Sequence, residues 1–538
     1  MVRLTLAPVL LAGLPVVFSA LVQKPDLALP ESASAHRDEV VKIFKESYEA
    51  YREFAWGHDD LAPVSQGFIN SRNGWGASVI DALATMKIIG LEELFLEGVD
   101  FAGTIDFSRS KVEGDVSVFE TTIRYLGGFL SAYELDDFKN PILLQKAQEV
   151  ADKMAFAWHE GSPIPHPWMD FATDTPDGRN SNIAEAGTLA LEWLTLSKYT
   201  KNETYGELAV NALKHIANLT PPLPGLAAQG LNPTTGQFVG GYVSWGGASD
   251  SYFEYLIKYA RLTNTDDPLF TKSWLTAIDS SIKHLLHKSS VGDHVYLGDW
   301  QNGELIPVSS HLACFHGGNW LLGGKLTNND TIVKHGLDLV DSCWNTYAST
   351  ATGIGPEVFR WFPEGTNATI SGADLEFYNE HGFYMTGKGY IHRPEVLESN
   401  FMAWRVTGDT KYLDRAASAI ESFNKYMTSP DFKGYAALRN VDDENTEFVD
   451  HMESFWFAEV LKYLYLTFDD PAHISLDEWV FTTEAQPLKA PPPKDVYSDG
   501  SIFSADNWFA PFTSTDGPLP VISPIPGVEN PFTAHRQG

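Results

Sequence analysis

Cysteine is nearly missing from this 538-residue chain, which has two, Cys314 and Cys343. So few thiols exclude a disulfide-framework mini-domain, and with no paired histidines beside them they make a thiolate metal site improbable. In an oxidising compartment the simplest reading is one disulfide, worth roughly 3–4 kcal/mol by loop entropy. Positive charge is scarce as well. Lys plus Arg number 38 against 70 Asp plus Glu, a formal charge of −32, which argues against nucleic acid and anionic membrane surfaces as partners. Nor is there, after the N-terminus, a run of about 18 apolar residues, so no membrane insertion is expected. G-x-S-x-G, H-E-x-x-H and a complete G-x-G-x-x-G are all absent. A serine hydrolase, a zincin and a dinucleotide enzyme therefore lose their usual support.

Residues 1–20, MVRLTLAPVLLAGLPVVFSA, carry one positive charge at Arg3, a short apolar run broken by Pro8 and Pro15, and small residues near Ser19 and Ala20. This is the pattern of a secretory signal peptide, and it places the protein in the secretory-pathway lumen or outside the cell. Four N-x-[ST] sequons, at Asn202, Asn218, Asn329 and Asn367, then predict surface loops carrying glycans.

What the chain has in quantity is helical hairpins. YTKNETYGELAVNALKHI (199–216), LTNTDDPLFTKSWLTAIDSSI (262–282), LTNNDTIVKHGLDLVDSCW (326–344) and VTGDTKYLDRAASAIESF (406–423) share one pattern. In each a helix ends near a threonine (200, 263, 327 or 407), a short polar turn follows, and a second amphipathic helix begins. Such hairpins bury their apolar faces only against neighbours. A closed ring satisfies all of them, so residues 36–487 are read as one all-α barrel or toroid. GLNPTTGQFVGG (230–241) and KSSVGDHVYLGDW (288–300) predict short β-hairpins at one face. Residues 488–538, with APPP, GPLP and SPIPG, read as a Pro-rich C-terminal tail.

Carboxylates in helices carry the candidate chemistry. Glu120 and Arg124 stand at i and i+4 in SVFETTIRYLGGFLSAYEL (117–135), and Asp250 and Glu254 at i and i+4 in GGASDSYFEYLIKY (246–259). Arg393, Glu395 and Glu398 open a helix beside Phe401, Met402 and Trp404, while Glu453 and Glu459 fall in an aromatic helix at 451–468. Each alone is as well explained by a surface ion pair or by an acid meeting a helix dipole. Five such places together, the fifth being VFTTEAQP (480–487), among aromatic residues, fit a carbohydrate site: a glycosidase or a lectin.

The motifs NGWGASVIDAL (73–83), FETTIRYLGG (119–128), DSYFEYLIK (250–258), HLACF (311–315), GIGPEVFRW (353–361), RPEVLES (393–399), MESFWFAEVLKYLYLTF (452–468) and FTTEAQP (481–487) occur in this order. Together they resemble the class I α-1,2-mannosidases of glycoside hydrolase family 47, most nearly the secreted fungal members. The resemblance implies an (αα)7 barrel and an inverting exo-mannosidase that removes terminal α-1,2-linked mannose from high-mannose N-glycans with a bound Ca²⁺. It implies a monomer whose partner is the glycan. By motif, Glu120 would be the general acid, acting through a water, Glu395 the general base, and Asp250 the other catalytic carboxylate. The inverting route puts acid and base about 6.5–9.5 Å apart or more. Arg124, Glu185, Glu254, His311, Arg393, Glu398, Phe455, Glu459 and Glu484 would contact mannose or hold water, Thr483 would bind calcium through hydroxyl and carbonyl, and Cys314 and Cys343 match the family's disulfide. The alternative implied by the same fold is a mannose-recognising quality-control protein with little hydrolysis. Four positions depart from the family's pattern: Gln486 for histidine, Ala84 and Ser310 for aspartate, and Ala248 for the arginine of members that remove a single mannose. Ala248 points to broader trimming.

Overall fold

Outer and inner helices of the chain differ first in where their apolar residues lie. Lys411–Tyr426 buries Tyr412, Leu413, Ala416, Ala419, Ile420 and Phe423 at helical spacing and gives its other face to solvent. Ala77–Ile88 buries every residue but Lys87, as a helix enclosed on all sides must. The computed structural model describes residues 21–497, and both kinds of helix alternate along it. In chain order they are α1 (Ala33–Phe54), α2 (Ala77–Ile88), α3 (Glu92–Gly103), α4 (118–135), α5 (Pro141–Met154), α6 (183–200) and α7 (Glu203–Asn218). They continue as α8 (Asp250–Thr263), α9 (Leu269–His284), α10 (Phe315–Leu326), α11 (Asp330–Ala348), α12 (Glu395–Thr407), α13 (Lys411–Tyr426) and α14 (456–468). Odd-numbered helices form the outside and even-numbered ones the inside. Each inner helix packs on the inner helix before and after it, and α14 packs on both α2 and α1, so the ring closes. This is the expected (αα)7 barrel.

The threonine turns have a common cause. The hydroxyls of Thr200, Thr263, Thr327 and Thr407 each donate to the carbonyl four residues back, on Leu196, Tyr259, Gly323 and Ala403, at 2.7–2.8 Å. Those carbonyls belong to the last turn of an inner helix, and the hydroxyl adds a side-chain bond to it; at Gly323 the same oxygen also accepts the Thr327 N–H at 2.9 Å. In three of the turns the threonine oxygen also accepts the backbone N–H two residues on, at Asn202, Thr265 and Asp409. One side chain thereby ends the inner helix and starts the reversal into the outer one. Close packing follows: a Cβ on Gly323 of α10 would lie 2.2 Å from the Trp274 ring of α9, so only glycine fits there.

Because every inner helix runs the same way, their N-termini share one end of the barrel. That end, the mouth, carries short antiparallel hairpins, including Gly230–Asn232 with Gln237–Val239 and Leu286–Lys288 with Val295–Leu297, as expected at 230–241 and 288–300. The opposite end is closed by the hairpin Trp479–Phe481 with Pro487–Lys489. Its turn rises inside the ring: the Ala485 carbonyl accepts from Lys462 of α14, and the Tyr255 hydroxyl of α8 lies 3.3 Å from Thr483 N. Residues 488–497, the start of the Pro-rich segment, lie across this floor, where the Pro491 carbonyl accepts from Arg261 and the Tyr497 N–H donates to Leu326. Residues 1–20, read as a signal peptide, and residues 498–538 lie outside the described residues.

Cys314, in a turn entering α10, is bonded to Cys343 of α11. The sequons are less loop-like than expected. Asn202 and Asn329 cap α7 and α11 with their side-chain oxygens, and Asn218 is the last residue of α7. Asn202, Asn218 and Asn367 are exposed, and Asn329 is partly so.

Candidate active site

Four expected residues sit in the first turn of four inner helices and therefore on one rim. They are Glu120 on α4, Glu185 on α6, Asp250 on α8 and Glu395 on α12. The positive end of each helix dipole favours a carboxylate there. Ser117 Oγ accepts the Glu120 N–H, and Asn182 Oδ1 accepts the Glu185 N–H at 2.8 Å, so ordinary capping fixes where both acids start. One turn deeper come Arg124, Glu254 and Glu398. Glu459 of α14 and Glu484 of the floor hairpin meet them from other sides. Two local irregularities help: Arg124 lies in the π-turn Thr122–Leu126 and Glu459 in the π-turn Trp456–Val460. The extra residue in each re-aims a side chain that a regular helix would place elsewhere.

The Glu120–Arg124 pair is no surface ion pair; both are buried. Glu120 Oε2 accepts from Arg124 Nε at 2.7 Å and from Arg72 Nε at 3.0 Å. The far side of Arg124 pairs with Glu484 and lies 3.5 Å from Asp81, and its guanidinium rests 5.4 Å from the Phe455 ring. Glu395 is held differently. His311 Nδ1 lies 2.7 Å from its Oε2, His311 Nε2 lies 2.8 Å from the Tyr347 hydroxyl, and Arg393 stands 3.9 Å away while bonded to Glu357 at 2.5 Å. Burial pushes the Glu395 carboxyl up, but the His311 hydrogen bond and charge and the Arg393 charge outweigh it and hold it below the ordinary value. Asp250 has backbone and hydroxyl donors of Ser251 on Oδ1. Burial, with the nearby charges of Glu254 and Glu395, pushes it up to about 7. Burial likewise pushes Glu185 up to about 8, against the Ser181 hydrogen bond.

The deeper group is acid-rich. Glu254 pairs with Lys258. Burial and the charges of Glu254 and Glu395 push Glu398 well up, and burial with Glu484, Glu395 and Glu398 does the same to Glu459. Burial pushes Glu484 up despite Arg124. Burial also drives Lys462 down to about 7, so its ammonium is a weak counter-charge. Asp250, Arg393, Glu398 and Thr483 keep partial exposure, leaving room against all four. Crowded carboxylates, each disfavouring ionisation of the next, beside a threonine hydroxyl, form a hard-oxygen donor set that suits a divalent cation of the calcium class.

The carboxylates and arginines expected at the site, with His311 and Phe455, are thus brought together by the contacts above. Several partners carried no sequence signal. Arg72, immediately before the NGWG turn, reaches Glu120 from a loop, and Glu357, whose motif GIGPEVFRW counts only toward the family resemblance, holds Arg393 from a strand edge. Glu453, expected inside a helix, precedes it: the chain is extended at 452–453, where Met452 bridges to Leu61, and helical geometry begins after Ser454. A further buried cluster joins Asp60, His451 and Glu453, whose candidate ligand atoms lie within 4.8 Å of one another.

The profile of Glycosyl hydrolase family 47 matches residues 43–490. A probable mannosyl-oligosaccharide alpha-1,2-mannosidase 1B of Aspergillus clavatus is 40% identical over 86% of this chain and 96% of its own length. The mannosyl-oligosaccharide alpha-1,2-mannosidase 1B of Aspergillus phoenicis is 39% identical over 85% and 92%. Among solved structures, alpha-1,2-mannosidase from Trichoderma reesei superposes with a TM-score of 0.82 at 36% identity, covering 85% of this chain and 99% of that one.

Proposed function

The chain belongs to glycosyl hydrolase family 47, and from that premise we propose that it is an exo-α-1,2-mannosidase of the secretory pathway that trims high-mannose N-glycans with inversion and requires Ca²⁺. The observation that carries the reading is the division of labour among the rim carboxylates. Glu395 is a carboxylate held ionised and oriented through His311 and Tyr347, which suits a general base. Glu120, fixed by Arg72 and Arg124, faces the same lumen as the proton donor, delivering through a water. Asp250, pushed up to about 7, keeps a proton in mildly acidic solution and is the third carboxyl at the reacting centre. Phe455 offers an aromatic face to the sugar, and Arg393 and Glu185 bond its hydroxyls. Thr483, with Glu254, Glu398, Glu459 and Glu484 around it, would hold the calcium, which when bound supplies a fixed positive charge for an attacking water and sugar hydroxyls.

The test is to incubate the purified protein with Man-α-1,2-Man in calcium or in EDTA and to follow the anomeric protons by NMR. Release of β-mannose in calcium, lost on chelation and restored by calcium, is expected. No release with retained glycan binding would favour the quality-control reading. First-formed α-mannose would overturn inversion, and release indifferent to prolonged chelation would overturn the metal's role.

A further inference from the structure

Asp60, His451 and Glu453 are buried to 0%, 3% and 1% exposure, and the chemistry above leaves them unused. Asp60 belongs to a mouth hairpin, and the other two to the extended segment leading into α14. The imidazole lies between the carboxylates with a different nitrogen toward each: Nε2 is 3.3 Å from Asp60 Oδ2, and Nδ1 is 3.5 Å from Glu453 Oε1. Asp60 also accepts from the Ser454 N–H and the Ser71 hydroxyl. Glu453 accepts no hydrogen bond on either oxygen; its other charged neighbour is Arg72 Nη2, 3.6 Å away. The same Arg72 holds Glu120 through Nε. A continuous line of charges, His451–Glu453–Arg72–Glu120, therefore runs from this cluster to the rim.

We propose that His451 is a positioning residue: as an imidazolium between Asp60 and Glu453 it presents an N–H to each carboxylate and offsets part of their charge, leaving Arg72 to hold Glu120. The proposal rests on reading Glu120 as the proton donor. A neutral imidazole has one N–H and one lone pair, so it would set a lone pair against one of the two carboxylates; only the doubly protonated ring suits both. The remaining groups agree. Burial and the Arg72 charge favour the neutral ring, yet Glu453 and Asp60 outweigh them and push His451 up to about 9. His392, the other histidine facing the cluster, is driven by burial down to about 3 and bonds the Tyr435 carbonyl with Nε2, so it adds no charge. A metal ion fits less well. It would have to reach both carboxylates from a single ring nitrogen although they flank opposite nitrogens, and beside a guanidinium. Without the imidazolium charge, Glu453 stands uncompensated and competes with Glu120 for Arg72.

The experiment compares His451→Gln and His451→Lys with the full-length wild-type chain in calcium, reading kcat/KM for Man-α-1,2-Man across pH. In His451→Gln, kcat falls about 5-fold with KM nearly unchanged. Its alkaline limb moves up by about half a pH unit or more, because the proton donor loses positive surroundings. His451→Lys, which keeps the charge, restores the wild-type limb. A second readout needs no turnover: in protein labelled with 13C at histidine Cε1, the resonance missing from both variants titrates well above the ordinary histidine range. A limb unmoved in His451→Gln, or a lysine variant no better than the glutamine one, overturns the proposal. So does a His451 resonance titrating at or below the ordinary value, or stoichiometric zinc in the wild type that is absent from His451→Gln. Absence of mannose release by wild type would instead remove the role of Glu120, leaving the imidazolium to be decided by NMR.

Discussion

The rim and the floor of the lumen are both built of buried carboxylates, yet they solve the problem of buried charge in opposite ways. At the rim, Glu120 has two guanidinium donors, Glu395 has an imidazole and an arginine, and each begins a helix whose dipole favours its charge. Around Thr483, Glu254, Glu398, Glu459 and Glu484 share Lys258 and one edge of Arg124, with Lys462 weakened by burial. Paired acids are set for proton transfer from defined positions. Acids in excess of cations are set for a cation that the chain does not itself supply. The contrast teaches that the two tiers should fail differently: damage at the rim should cost rate with little stability, and damage at the floor should cost both.

The largest expected effect breaks the rim. Glu395→Gln keeps the helix start and the His311 contact but removes the proposed base, so kcat should fall about 10³-fold, with a melting temperature within a few degrees of wild type. An unfolded variant whose residual folded fraction stays active would show that Glu395 only starts a helix. Next comes the floor. Calcium should raise the melting temperature of the wild type, since a ligand that binds the folded state alone stabilises it by mass action, and Thr483→Ala should lose that rise together with most activity. Calcorimetric titration and thermal melts in calcium and in EDTA measure this. A Thr483→Ala protein as calcium-responsive as wild type would erase the distinction between the tiers.

Much of this arrangement is legible from the sequence, and its gaps have physical reasons. Four hairpins declare themselves because a threonine at the end of each inner helix bonds back to the helix's last turn where the chain reverses. The remaining hairpins use other terminators, and the pairing of α1 with α14 joins the chain's two ends, which no local pattern shows. Glu120, Asp250 and Glu395 stand out as acids at helix starts beside aromatic residues, but that pattern alone does not separate a catalytic acid from one meeting a dipole. Burial does. Arg72 is invisible because its partner is 48 positions away. Glu453 is misplaced by an apolar period that continues two residues beyond the helix it appears to belong to, where the chain is tied to the mouth hairpin instead.

A smaller effect sharpens the rim's description. Tyr347→Phe removes the hydroxyl from His311 Nε2, 2.8 Å away, without touching Glu395. The imidazole keeps its contact with the carboxylate but loses the partner that fixes its tautomer and orientation, so kcat should fall about 3- to 10-fold with KM unchanged. A fall as large as that of Glu395→Gln would mean that His311 itself acts on substrate.

The smallest effect is a slope, and it asks whether every rim acid is paired. Glu185 is an exception there, as Asp250 is, and burial pushes it up to about 8. Its unfolded-state carboxyl ionises near the ordinary value of about 4.3. Between those two values the folded protein holds a proton that the unfolded chain has released. Stability must therefore fall as pH rises through that window, the reverse of what a salt-bridged acid gives. Glu185→Gln, which can still accept from Ser181, should flatten the decline in melting temperature from mildly acidic to mildly alkaline pH in EDTA, while leaving the acid end unchanged. An unchanged slope would mean that Glu185 is ionised in the folded protein and has found a counter-charge, leaving Asp250 as the rim acid without one.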